Sequence, residues 1–69
     1  MKINFFRVQD DGVGVAGNDF IQYIESPAVP REFETVKIQT YEYTVDAVSW
    51  SVVNGFSMEA NVYLRQIGR

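Results

Sequence analysis

The sequence predicts an all-β or mainly β domain, built as a small antiparallel sheet or partly open barrel of about four to five strands. β-Branched residues dominate the 69-residue chain, whereas it has a single leucine, Leu64. Helical domains usually show the opposite balance. Runs of alternating apolar and polar residues recur, as in half-buried strands. Asn54-Gly55 lies between two such runs and is the strongest short-range signal for a two-residue β-hairpin.

The N-terminal residues 2–8 are predicted to form the first strand. Their apolar residues occupy both parities, so either both faces of the strand are partly apolar or a bulge intervenes. Residues 10–19 are rich in Gly, Asp and Asn, which tolerate positive φ, and are predicted to form a loop.

Residues 19–25 fit two local structures. Their apolar residues share one helical face, which permits a short helix with an N-cap at Asn18 or Asp19. The same residues fit a short strand that is buried on both faces. The length of about seven residues favours the strand.

Two prolines predict a loop over residues 26–32, because proline removes a backbone donor and restricts the residue before it. Residues 33–44 are predicted to be extended. After this segment the apolar residues change from even to odd positions. A single strand that covered this segment and the one that follows it would far exceed the usual ~5–6 residues. We therefore expect a turn or a bulge between Tyr41 and Ala47.

The C-terminal hairpin is predicted to turn at Asn54 and Gly55 in a type I′ conformation. Its core face then holds the opposed pairs Val53/Phe56, Ser51/Met58, Ser49/Ala60, Ala47/Val62 and Val45/Leu64. This register predicts buried side chains at Phe56, Met58, Val62 and Leu64. It predicts exposed side chains at Glu59, Asn61 and Arg65.

The other face of the hairpin is asymmetric. One strand places Val48, Trp50 and Val52 there, with Trp50 opposite Glu59, whereas the second strand is mostly polar. Either another segment covers these three residues and completes a barrel or sandwich, or they form an interface. Because Trp and Tyr contribute disproportionately to binding energy, the candidate partner or dimer interface residues are Val48, Trp50, Val52, Tyr63, Tyr41 and Tyr43.

The chain is short enough to be a single domain, residues 1–69, and a core of this size is marginal on its own. It contains no Cys and no His, which excludes disulfides and most metal sites as sources of stability. Its ten aromatic residues (five Phe, four Tyr and one Trp) exceed what one thin core can cover. We therefore expect a homodimer, with a well-packed monomer as the alternative.

The net charge of −3 and the pI near 4.6 indicate an acidic, soluble protein. No cluster of Lys and Arg is available to displace counterions from phosphates, so no nucleic-acid partner is expected. No segment has the apolar length of a membrane span or a secretory signal, so no membrane partner is expected. The expected location is the cytoplasm, or the host cytosol if the protein is viral.

Two motifs suggest ligands, and neither has the context it needs. Residues 12–17 match the dinucleotide fingerprint G-x-G-x-x-G, but too little chain follows for two βαβ units. Asp10, Asp11 and Asp19 lack the spacing of an EF-hand and are interpreted as solvated loop acids. With no His or Cys and little room for a deep pocket, no cofactor, metal or catalytic residue is expected, and the chain is not expected to be an enzyme.

These exclusions leave a non-enzymatic protein-binding module as the leading hypothesis. In size and composition the chain resembles the small accessory or inhibitor proteins of bacterial viruses and mobile elements, which implies that it blocks a surface of a host protein. The alternative is a structural subunit of a repeating assembly, such as a virion or tail component, whose sheet edges pair between copies. A nucleic-acid or nucleotide binder is the third hypothesis.

Overall fold

The computed structural model of the chain describes residues 1–10, 16–55 and 57–68, with side chains described for the same residues except 9–10 and 16–18. None of the described residues is helical, which confirms the predicted all-β class. The strands are β1 (Lys2–Asp10), β2 (Ala16–Glu25), β3 (Thr35–Ile38), β4 (Tyr41–Asn54) and β5 (Ser57–Gly68).

The five strands form one sheet in the order β2-β1-β5-β4-β3, curled into an open half-barrel. Neighbouring strands are antiparallel except β1 and β5, which run parallel. Parallel neighbours need a long crossover, and here that connection contains β2, β3 and β4. The expected partly open barrel is therefore present, with one parallel pair that no local sequence signal marks.

The hydrophobic core lies on the concave face of the half-barrel. It contains Ile3, Phe5, Ile38, Tyr43, Val45, Ala60, Val62 and Leu64. Val29, in the segment between β2 and β3, packs against this cluster.

Several burial predictions for β5 are confirmed and others are wrong. Val62 and Leu64 are buried and Arg65 is exposed, as predicted. Met58 is 46% exposed, so its predicted burial is wrong. The predicted exposure of Glu59 and Asn61 is wrong, because both are partly buried on the convex face, where they accept hydrogen bonds from Asn4. Phe56 lies outside the described residues.

The strand interpretation of residues 19–25 is confirmed, because these residues belong to β2. The alternative short helix is wrong. Pairing with β1 shifts between Phe5 and Phe6, which leaves Ile21 as an extra residue on β2. Phe5 is in the core, whereas Phe6 packs on the convex face against Phe20. Both faces of β1 are therefore partly apolar.

Residues 33–44 are predicted to be extended throughout, and this is wrong because they contain a chain reversal. β3 and β4 pair across a turn at Gln39 and Thr40, and Gln39 has a φ of 57°. This left-handed position is one that Gly or Asn usually occupies, so the turn lacks its usual sequence signal. The bulge expected between Tyr41 and Ala47 is present, since the β4–β5 ladder passes over Asp46.

The bulge at Asp46 changes the register of the β4–β5 hairpin. Val45 lies opposite Leu64, as predicted, but beyond Asp46 the pairing is displaced by one residue, with Val48 opposite Val62. A one-residue displacement moves each side chain to the other face of the sheet. The predicted pairs Ala47/Val62, Ser49/Ala60 and Ser51/Met58 are therefore wrong. At the tip Asn54 pairs with Ser57, so the connection begins one residue later than the predicted Asn54-Gly55 loop.

Candidate protein-binding surface

The register places Trp50 on the concave face of the sheet. Trp50 lies opposite Ala60, a core residue, and not opposite Glu59 as the sequence analysis expects. Val48 lies opposite Val62 and packs against the core, whereas Val52 lies opposite Met58 near the hairpin tip. The three apolar residues therefore continue the core face instead of forming a separate face behind it.

Beyond the core, the concave face exposes apolar side chains. Trp50 is 51% exposed and Val52 is 71% exposed, and Met1 and Met58 are each 46% exposed. Val52, Met1 and Met58 line one open cleft of about 570 Å³. We refer to Met1, Trp50, Val52 and Met58 as the concave apolar patch.

A second cleft adjoins the patch at Trp50. Trp50 and Val48 line it from β4, and residues 29–32 line it from the segment that precedes β3. Its volume is about 310 Å³. Arg31 and Glu32 place one charge of each sign in its lining, so the apolar floor has a polar rim. This combination is typical of protein-binding surfaces.

The patch includes Met1 and Met58, which are not among the predicted interface residues, and Met58 was predicted to be buried. Met58 has the parity of Ala60, and Met1 has the parity of Ile3, so both follow from the observed register. The signal in the sequence was the alternation itself. The bulge at Asp46 lies in β4 and leaves this alternation at β1 and β5 unchanged.

The candidate tyrosines do not join this patch into one site. Tyr43 is a core residue, 5% exposed, which leaves little of its side chain for a partner. Tyr41 lies near the opposite end of β4 from the hairpin tip. Tyr63 lies on the convex face, where its ring stacks on Phe6 with the centroids 5.3 Å apart and its hydroxyl is 3.4 Å from the Ser49 hydroxyl.

The convex face is held by polar contacts between strands. The Asn4 amide donates to the Glu59 carboxylate at 2.8 Å and to Asn61 at 3.2 Å. The ammonium of Lys2 lies 3.8 Å from Glu59 and above the ring of Tyr23. These contacts tie β1 to β5 and to β2, and no other described segment forms a second layer on this side.

The described residues show no arrangement typical of a metal or nucleotide site. They contain no group of three or more acidic, His or Cys side chains that could hold a metal ion. Of the G-x-G-x-x-G motif, residues 12–15 lie outside the described residues, and the chain from Ala16 continues as a strand. A dinucleotide site needs a helix there. Of the acids considered for Ca²⁺, Asp11 and the side chain of Asp10 also lie outside the described part.

Within the described residues there is no helix long and apolar enough to span a membrane. Comparisons with protein-family models, with curated proteins and with solved structures find no match to this chain.

Proposed function

We propose that this protein is a non-enzymatic protein-binding module whose concave apolar patch docks on an apolar surface of a larger protein. The observation that carries the proposal is the exposure of Trp50, Val52, Met58 and Met1 on one face of a small acidic domain. Contiguous apolar patches of this kind mark interaction sites in soluble proteins. Trp50 lies where this patch meets the core, and tryptophan is among the residue types most enriched at binding hot spots.

The chemistry of the patch defines the partner's surface. Its four side chains carry no charge, and two of them are methionines, which adapt to irregular apolar shapes. The charges nearest to Trp50 in the lining are Arg31 and Glu32. The complementary surface is an apolar protrusion with a polar border, and binding there would inhibit the partner by steric blocking. A host-cell protein in the cytosol is the proposed target.

Affinity capture with matched variants tests the proposal. Val52→Asp puts a charge into the patch at a largely exposed position, and Ile67→Asp puts the same charge at an exposed position of β5 outside it. We expect the wild type and Ile67→Asp to capture the same partner from a host lysate, and Val52→Asp to lose it. Circular dichroism shows whether both variants are folded. Capture of that partner by a folded Val52→Asp variant would contradict the proposal.

A structural subunit is the second proposed function, and the sheet's uncovered edges favour it. The described part of the structure leaves β2 and β3 at the two ends of the sheet without a further strand. Edge strands pair readily with other chains. Light scattering over a concentration series tests this function: growth into long polymers supports it, and a discrete small species contradicts it.

A further inference from the structure

Part of β4 has an open edge. β3 pairs with β4 only from Tyr41 to Thr44, and Val45 makes the last backbone contacts on that side, to Phe33 and Glu34. Among the described residues no strand pairs with that side of β4 over residues 48–52. These residues are central in the β4–β5 hairpin and still have one unpaired side.

The register shows which backbone groups face that opening. Val45 directs both its N–H and its C=O away from β5, toward residues 33–34. Backbone direction alternates along an antiparallel strand, and the bulge at Asp46 shifts the alternation by one residue. Val48, Trp50 and Val52 therefore direct their N–H and C=O groups to the open edge, while their side chains lie on the concave face.

The sequence along this edge is a palindrome. Val48-Ser49-Trp50-Ser51-Val52 reads the same in both directions around Trp50. Two copies paired antiparallel about a two-fold axis at Trp50 place Val48 opposite Val52, Ser49 opposite Ser51 and Trp50 opposite Trp50. Directly opposed β-branched and aromatic residues stabilise antiparallel pairs.

This edge also lacks the features that normally prevent such pairing. Edge strands are usually protected by charges, proline or short length. β2 carries Asp19 and Glu25, and β3 is four residues long and contains Lys37. Residues 48–52 contain no charge, no proline and no glycine.

We propose that a second copy of this chain occupies the β4 edge, so that two subunits pair through residues 48–52 into one continuous ten-stranded sheet. Roughly six backbone hydrogen bonds form across the two-fold axis, two at each opposed pair of outward-facing residues. Both concave faces lie on the same side of this sheet, so the two concave apolar patches join at the Trp50 pair. This inference goes beyond the proposed function, because two copies pair whether or not another protein is bound.

Opposite charges at position 50 test the two-fold axis. Size-exclusion chromatography with light scattering should give the wild type twice the 7.9 kDa chain mass. Trp50→Lys and Trp50→Glu should each run as monomers, because the two-fold axis places like charges side by side, and an equimolar mixture should recover the dimer. Ile67→Lys, outside the edge, should remain dimeric.

A monomeric wild type at every concentration would overturn the proposal and assign the edge to a strand of another protein. Dimers of both single variants, or a mixture of folded variants that stays monomeric, would overturn it as well.

Cysteine pairs give a second test that keeps Trp50 in place. The wild-type chain has no Cys. Ser49→Cys and Ser51→Cys should form a disulfide-linked dimer when mixed and oxidised, since the two positions are opposed. Either variant alone should stay uncrosslinked, because its own positions in the two copies lie more than ~7 Å apart, beyond disulfide reach. Efficient crosslinking of Ser49→Cys with itself, or none in the mixture, would overturn this register.

Discussion

Trp50 lies directly opposite Ala60 in the β4–β5 ladder, and the two residues differ sharply in exposure. Ala60 is completely buried between β4 and β1, where it also lies beside Ile3. Trp50 stands at the border where the core ends and the concave apolar patch begins. About half of the Trp50 side chain is therefore buried beside the core, and the other half is exposed to solvent.

This position predicts a modest role for Trp50 in the stability of one subunit. Trp50→Ala should lower the free energy of unfolding by about 1 kcal/mol, whereas Phe5→Ala, at a buried core position, should cost about 3–5 kcal/mol. Urea denaturation at low protein concentration, where association does not contribute, measures both changes. A Trp50→Ala loss as large as that of Phe5→Ala would mean that the indole belongs to the core.

Phe33 combines a strained backbone with an exposed side chain. Its φ is 71° and its side chain is 83% exposed, while its N–H donates to the Val45 carbonyl at 2.9 Å. Phe33→Gly should stabilise the fold by about 0.5–1 kcal/mol, because glycine adopts this conformation without the steric cost of a Cβ. Phe33→Ala is the control, since it removes the ring and keeps the strain. If the alanine variant gains as much as the glycine variant, the ring and not the backbone is the source of the cost.

The Asn4–Glu59 hydrogen bond should contribute more to stability than an exposed ion pair. The Asn4 amide lies 2.8 Å from the Glu59 carboxylate in a partly buried setting, whereas Arg65 and Asp46 are 3.5 Å apart and exposed. A double-mutant cycle with alanine at Asn4 and Glu59 should give a coupling energy of about 1 kcal/mol. The same cycle at Arg65 and Asp46 should give less than about 0.5 kcal/mol. Equal coupling in the two cycles would contradict this ranking.

Elements of the fold that have a local signal in the sequence can be predicted from it, and elements without one cannot. The β composition, the strand at residues 19–25 and the Val45/Leu64 pair follow from propensity, segment length and alternation, and the structure bears them out. The turn at Gln39 and Thr40 lacks Gly, Pro and Asn, so composition does not reveal it. The parallel β1–β5 pair joins the two ends of the chain, and such a distant contact leaves no local pattern.

The prediction of the candidate site depends on one residue, Asp46, because its position sets which face the following residues share. The bulge predicted between Tyr41 and Ala47 resets the facing before Val45, whereas in the structure the extra residue is Asp46, which follows Val45. The sequence places Trp50 on the face opposite the core, either covered by another segment or exposed as an interface; the structure places it on the core face, 51% exposed. Because alternation has a period of two, a single extra residue reverses every later assignment.

Deleting Asp46 tests whether this residue alone sets the bulge. Without Asp46, Ala47 follows Val45 directly, and a regular ladder keeps Val45 opposite Leu64, Ala47 opposite Tyr63 and Trp50 opposite Ala60. The variant should therefore fold with the same β4–β5 pairs and with Trp50 on the concave face.

Trp50 and Ala60 form a non-hydrogen-bonded pair, in which the Cα atoms are about 4.5 Å apart. NMR should therefore show a cross-peak between their Hα protons in both the wild type and the deletion variant. A cross-peak between Ser49 and Ala60 in the variant would show that the strand slips when the extra residue is removed. The bulge would then be required for the register instead of being a local insertion into it.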